Sequence, residues 1–169
     1  MNNEHLRTGA SERSVRDASR HYLLKRGVTM DHLIDLVIFL QAEYYPDLTR
    51  NECREQVEKV LSKREVQNAI LTGVQLDYLA EQKQLDEPLQ TMVARDESLY
   101  GIDEVLAFAI INIYGSIGFT NFGYVDKIKP GILERLNDLS TGEVHTFLDD
   151  IVGAIAAAAA ARLAHGRAH

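Results

Sequence analysis

The chain of 169 residues contains one cysteine, three prolines and no tryptophan, and each shortage excludes something. Cys53 alone forms no internal disulfide, so the fold must rest on a hydrophobic core, which a chain of this length can bury without covalent staples. With no charged-then-apolar leader at its start, the expected setting is reducing and cytoplasmic. Cations are outnumbered as well. Eighteen Lys and Arg against 25 Asp and Glu leave a net charge of -7, which argues against nucleic acid, whose phosphates are held mainly by basic side chains. Long apolar runs are also scarce. Residues 105–125 are free of charge but punctuated by Gly115, Ser116 and Gly118 and by Asn112 and Asn121, and residues 151–161 fall far short of the roughly 20 needed to span a bilayer. The chain is therefore expected to touch a membrane surface transiently at most.

What is present is helical patterning. Apolar residues recur at 3.6-type spacing, as in the Leu33, Leu36, Val37, Leu40 stripe, while alternating β-branched runs are few. Three S/T-x-x-E pairs, Thr49 with Glu52, Ser62 with Glu65 and Ser140 with Glu143, have the form of a reciprocal helix-start cap. These signals predict an all-α bundle with helices at 11–26, 30–45, 50–61, 63–84, 87–95, 102–115, 130–138 and 142–164, the last a central alanine-rich helix. Residues 1–10 are expected to be a flexible N-terminus and 11–165 a single helical domain. The segment YGSIGFTNFGYVDKIKPG, residues 114–131, interrupts aromatics with four glycines and is expected to be a functional loop.

Carboxylates follow an ordered pattern: Asp103 and Glu104 at the start of an apolar helix, Asp126 in the glycine-rich segment, and Asp149 and Asp150 ahead of the alanine run. Charges placed in a segment built for burial need a counter-ion or hydrogen bonds. A hard divalent cation such as Mg2+ takes oxygen ligands and leaves room for phosphate oxygens. Lys129, three residues after Asp126, suits a phosphate whose metal the carboxylate holds. The helix dipole alone can explain Asp103 and Glu104. A cap at Ser140 would place Asp149 and Asp150 two turns inside their helix, where that explanation fails. His145, four residues before Asp149, is a candidate to orient the carboxylate or contact phosphate. No Cys or His cluster has zinc spacing.

The ordered set DE at 103–104, FGYVDKIKP at 122–130 and DD at 149–150 resembles the phosphatidylglycerophosphatase A family, in particular its soluble Bacillus-type branch, over nearly the whole chain. The likeness to the family's membrane-bound enzymes is confined to about residues 100–160. The resemblance implies a Mg2+-dependent phosphatase that removes the terminal phosphate of phosphatidylglycerophosphate. By matching position, Asp103, Glu104, Asp126, Asp149 and Asp150 would hold metal, Lys129 would meet the phosphate, and Asp149 or Asp150 would orient the attacking water. The chain departs from the membrane enzymes at Gly123, where they carry Arg, and at Ile132, where they carry Pro. Lys63, Arg64 or Arg135 would then have to supply the lost phosphate contact. Two other readings share the sequence features, a phosphatase of a soluble phosphoester and a non-catalytic helical binding or regulatory protein. An acidic, alanine-rich helical chain also suggests a homo-oligomer.

Overall fold

A computed structural model describes residues 11–168; the expected flexible segment 1–10 lies outside them. The described chain is all α, with no strand among its residues. It runs through α1 (Glu12–Lys25), α2 (Met30–Gln41), α3 (Arg50–Leu61), α4 (Arg64–Glu81), the short α5 (Leu89–Ala94), α6 (Ile102–Ile111), α7 (Gly115–Ile128), the short α8 (Ile132–Leu136) and α9 (Leu148–Arg167). Helices α2, α3, α4, α6, α7 and α8 pack around α9, and α1 and α5 pack outside on α4.

The alanine run explains this arrangement. Ala156 to Ala161 are completely buried, and short side chains let surrounding helices approach α9 on every side at little cost in helix propensity. Glycine serves the same end where α4 crosses α9. A Cβ at Gly73 would overlap Ile151 and come within 3.0 Å of the Phe147 Cβ.

The Thr49–Glu52 cap forms in both directions, and Thr29 with His32 closes a second one that the S/T-x-x-E pattern does not contain. Ser62 instead ends α3, donating to the Lys59 carbonyl, while Lys63 starts α4 without a side-chain cap. Ser140 starts nothing long: it lies in a 3-10 turn, Leu139–Thr141, and α9 begins only at Leu148. The expected start near residue 142 is therefore six residues too early. Asp149 and Asp150 occupy the first turn of α9 rather than its interior.

That late start is built by a residue from another helix. Asp77 on α4, fully buried, accepts from the backbone N–H of Phe147 at 2.9 and 3.2 Å and of Leu148 at 2.9 Å. Asp149 N–H then donates to the His145 carbonyl, and Asp150 N–H to the Asp149 side chain at 2.8 Å. All the donors that a helix start leaves free are thus satisfied without water.

The expected glycine-rich loop is also different: residues 115–128 form α7. The stretch Ile102–Ile128, whose most apolar 18-residue window has mean hydropathy 1.5 and is one-third buried, is long and apolar enough by length and composition to cross a membrane, the one such stretch among the described residues. A 3-10 turn at Asn112–Tyr114 and Gly115, at a φ of +70° that favours glycine, break it. The chain folds back into a hairpin. Phe108 on α6 meets Phe119 and Phe122 on α7 with ring centroids 5.4 and 5.8 Å apart. At about 15 and 21 Å, the two arms are each shorter than the roughly 30 Å hydrocarbon core.

Asp77→Ala leaves two buried backbone donors without partners and is expected to lower unfolding free energy by about 2–4 kcal/mol. Urea denaturation monitored by circular dichroism measures this, and Asp77→Asn should recover part of the loss.

Candidate active site

Three elements bring the carboxylates together. Asp126 near the end of α7 and Asp149 and Asp150 at the start of α9 each offer an oxygen within 4.8 Å of the others. Asp103, in the first turn of α6, lies close enough to Asp150 for its charge to act on it. Lys129 caps α7 in a left-handed conformation, φ 53° and ψ 51°, which turns its side chain back over the cluster. Its Nζ donates to Asp126 at 2.7 Å and Asp149 at 2.9 Å.

Electrostatics make this an unbalanced site. Burial raises the Asp150 pKa, and the charges of Asp149, Asp103 and Asp126 raise it further. Burial raises Asp149 too, against the opposing effect of Lys129. Burial alone would push Lys129 down, but Asp149 and Asp126 more than offset it and the ammonium is held above its ordinary pKa. Asp96, in a left-handed turn at φ 50°, joins the same field. Its carboxyl is raised by burial and by Asp103 and Asp126, with Lys129 opposing.

Five carboxylates therefore face one ammonium. The N-terminal end of the buried 20-residue α9 contributes partial positive charge beneath Asp149 and Asp150, but it balances only a fraction of the excess. A hard cation with oxygen preference fits this donor set. Asp126, Asp149 and Asp150 have the spacing to hold one, with Asp103 beside them.

Other expected site residues lie elsewhere. Glu104 is exposed in the first turn of α6, pointing its charge to solvent rather than into the cluster. Arg135 reaches the other way and donates to the Arg26 and Gly27 carbonyls at 3.1 Å, so it is occupied in holding the α1–α2 connection. His145 precedes α9 and pairs through Nε2 with Glu143 at 2.9 Å, with Nδ1 3.4 Å from Arg26. Burial lowers its pKa, favouring neutral imidazole beside Arg26, whose guanidinium is itself bound to Glu81 at 2.9 Å and to the Val144 carbonyl at 2.7 Å. This second network anchors the segment before α9. Gly123 is exposed with open space where a Cβ would stand, so nothing in the packing demands glycine there.

Sequence reasoning missed Asp77 and Asp96. Asp77 looks like one polar position on an amphipathic helix, and only the arrival of α9 gives it donors to accept from. Asp96 had a weak local signal, since a carboxylate between two short apolar segments is a common occupant of a left-handed turn.

A buried carboxyl whose folded pKa lies above its unfolded value near 3.9 binds protons more tightly in the native chain. Across that interval the native state carries more protons, so the contribution to stability falls as pH rises. Without divalent cations, Asp150→Asn should therefore be more stable than the wild type at pH 8, with a gain of about 2–4 °C in Tm for roughly 1 kcal/mol. The gain should shrink towards pH 4, and parallel thermal melts across that range would detect it.

Comparison with known proteins supplies the family. The model of the phosphatidylglycerophosphatase A family matches residues 22–165. YutG of Bacillus subtilis, an uncharacterized protein, is 68% identical over 151 residues, covering 89% of this chain and 91% of its own length. YpjQ, an uncharacterized protein of the same bacterium, is 56% identical over 88% of this chain and 84% of its own. The crystal structure of the low temperature requirement C protein from Listeria monocytogenes is 57% identical, superposes with a TM-score of 0.92, and covers 94% of this chain and 100% of that one. The family model spans most of the chain and the solved relative shares its fold: the chain belongs to the phosphatidylglycerophosphatase A family.

Proposed function

We propose that the protein is a Mg2+-dependent phosphomonoesterase that removes the terminal phosphate of phosphatidylglycerophosphate. The carrying observation is the convergence of Asp126, Asp149, Asp150 and Lys129 at one end of α9, with oxygens of the three carboxylates within 4.8 Å. Family membership supports a phosphatase acting on a phosphate-bearing lipid.

When bound by Asp126, Asp149 and Asp150, Mg2+ would supply charge neutralisation at the phosphoryl group. The protein's own groups divide the remaining work. Lys129 sits at the edge of the cluster, partly exposed, and its ammonium can exchange an aspartate contact for a phosphate oxygen. Asp149 is held on both oxygens, by Lys129 and by the Asp150 N–H, which makes it a fixed ligand. The Asp150 carboxylate makes neither of these contacts, which leaves it an oxygen to orient the attacking water beside the ion. Positioning and charge stabilisation are the main demands of phosphoryl transfer, and this set meets them.

A lipid substrate must reach the site from a bilayer. Leu99, 92% exposed, lies on the loop between Asp96 and Asp103, next to the carboxylates. This reading has a protein of the cytoplasm that touches the membrane surface at this loop, with acyl chains left in the bilayer and only the headgroup drawn in.

Phosphate release from phosphatidylglycerophosphate in mixed micelles should require Mg2+. Asp149→Asn should lower it by at least 100-fold, and Lys129→Met by about 10- to 1000-fold. Millimolar Mg2+ should raise the Tm of the wild type, beyond the effect of matched salt, and leave Asp149→Asn unchanged. Mg2+ stabilisation without lipid hydrolysis, but with hydrolysis of a water-soluble phosphoester, would move the substrate and keep the chemistry. A fully active Asp149→Asn variant would end the assignment.

A further inference from the structure

The outward face of the α6–α7 hairpin carries no charged side chain from residue 105 to residue 124. On it Val105, Phe108, Ile113, Ile117, Phe119 and Tyr124 are between 36% and 59% exposed. At about 200 Å² per large side chain, they present on the order of 500 Å² of apolar surface, the upper part of what a monomer normally shows. The exposed Ala109, Ser116, Thr120 and Gly123 lie among them. Large and small residues alternate, giving ridges and hollows of the kind helices use to interlock. With these small residues included, the face approaches the roughly 800 Å² per partner of a stable interface.

Charge at its two ends decides what fits. At the open end of the hairpin Asp103, Glu104 and Asp126 outnumber Lys127 and Lys129 and leave it net acidic. At the tip, Lys63, Arg162 and His165 line a cavity of about 640 Å³ together with Ile113, Tyr114 and Gly115. Arg162 Nε there is buried without a hydrogen-bond partner. The ends are about 20 Å apart, the length of α9 from Asp149 to Arg162. We propose that this face binds a second copy of the chain in antiparallel register about a two-fold axis, so that the acidic end of each hairpin meets the basic tip of the other. An isologous contact of this kind is self-complementary. Parallel packing would set acid on acid and base on base.

A bilayer fits the face less well. Helices that lie in a membrane surface carry Lys and Arg along their polar flanks, whereas here the chain bears a net charge of -7 and one end of the face is acidic. The antiparallel dimer also brings the partner's Lys63 and Arg162 to the border of the carboxylate site, where they add the positive charge that Lys129 alone contributes within one chain. The dimer does not depend on the phosphatase reading; only that role of the partner's cations rests on it.

Sedimentation equilibrium at micromolar concentration should give twice the 19.0 kDa of one chain. Val105→Glu with Ile117→Glu, both at exposed positions, should sediment as a monomer with an unchanged circular dichroism spectrum. Register is read by oxidation. A mixture of Glu104→Cys and His165→Cys chains should form a disulfide-linked dimer, while Glu104→Cys alone should not; the native Cys53 is buried and does not compete. A wild type that sediments at 19.0 kDa overturns the proposal, and flotation with phosphatidylglycerol vesicles that is lost in the Val105→Glu, Ile117→Glu variant would assign the face to lipid. Linkage through Glu104→Cys alone overturns the antiparallel register. A monomer that still releases phosphate with Mg2+ would remove the dimer and leave the function standing.

Discussion

Everything about this fold turns on the start of α9. A helix that is buried along nearly its whole length must have its first N–H groups satisfied inside the protein, because no water reaches them. Asp77 does this from α4, and the two carboxylates that follow sit where the helix dipole is most positive. The same positive end that makes Asp149 and Asp150 tolerable also makes them a fixed and rigid pair. An exposed helix start would leave both solvated and mobile.

Around that pair the remaining charges are arranged without balance. Lys129 answers Asp149 and Asp126, but Asp150, Asp103 and Asp96 bring more negative charge than one ammonium offsets. A protein gains no stability from such an excess. Asp149 and Asp150 are buried within this excess, and donors that are oxygen throughout suit the hard cation proposed for the site. The Arg26, Glu81, His145 and Glu143 network close by shows the contrast. There Arg26 pairs with Glu81 and binds the Val144 carbonyl, His145 hydrogen-bonds Glu143, and the outcome is anchoring of the chain before α9 rather than an open valence.

The α6–α7 hairpin joins the site to the surface. Its inner side packs on the alanine helix, its open end carries Asp103 and Asp126 to the cluster, and its outer side stays apolar without a cover in the single chain. Each arm of the segment folded back at Gly115 is shorter than the hydrocarbon core of a bilayer, and its outer side is the surface that the proposed antiparallel dimer would cover.

Much of this was legible in the amino-acid sequence. Period and composition determined an all-α chain, the Thr49–Glu52 cap marked a true helix start, and the order of DE, D-x-x-K and DD pointed to the residues that meet, because local propensity and motif spacing are properties of neighbouring residues. Tertiary structure decided the rest. Whether 114–131 would be loop or helix depended on packing against α9, which outweighs the intrinsic cost of the three glycines within α7. The start of α9 was set by Asp77, 70 residues away in sequence, and not by Ser140. Glu104, Arg135 and His145 have the right chemistry for the site, but helix phase and competing partners turn them away from it. Asp96 enters only because a left-handed turn aims it inward. Such outcomes depend on which distant groups arrive within hydrogen-bonding reach, and spacing along one chain does not contain that information.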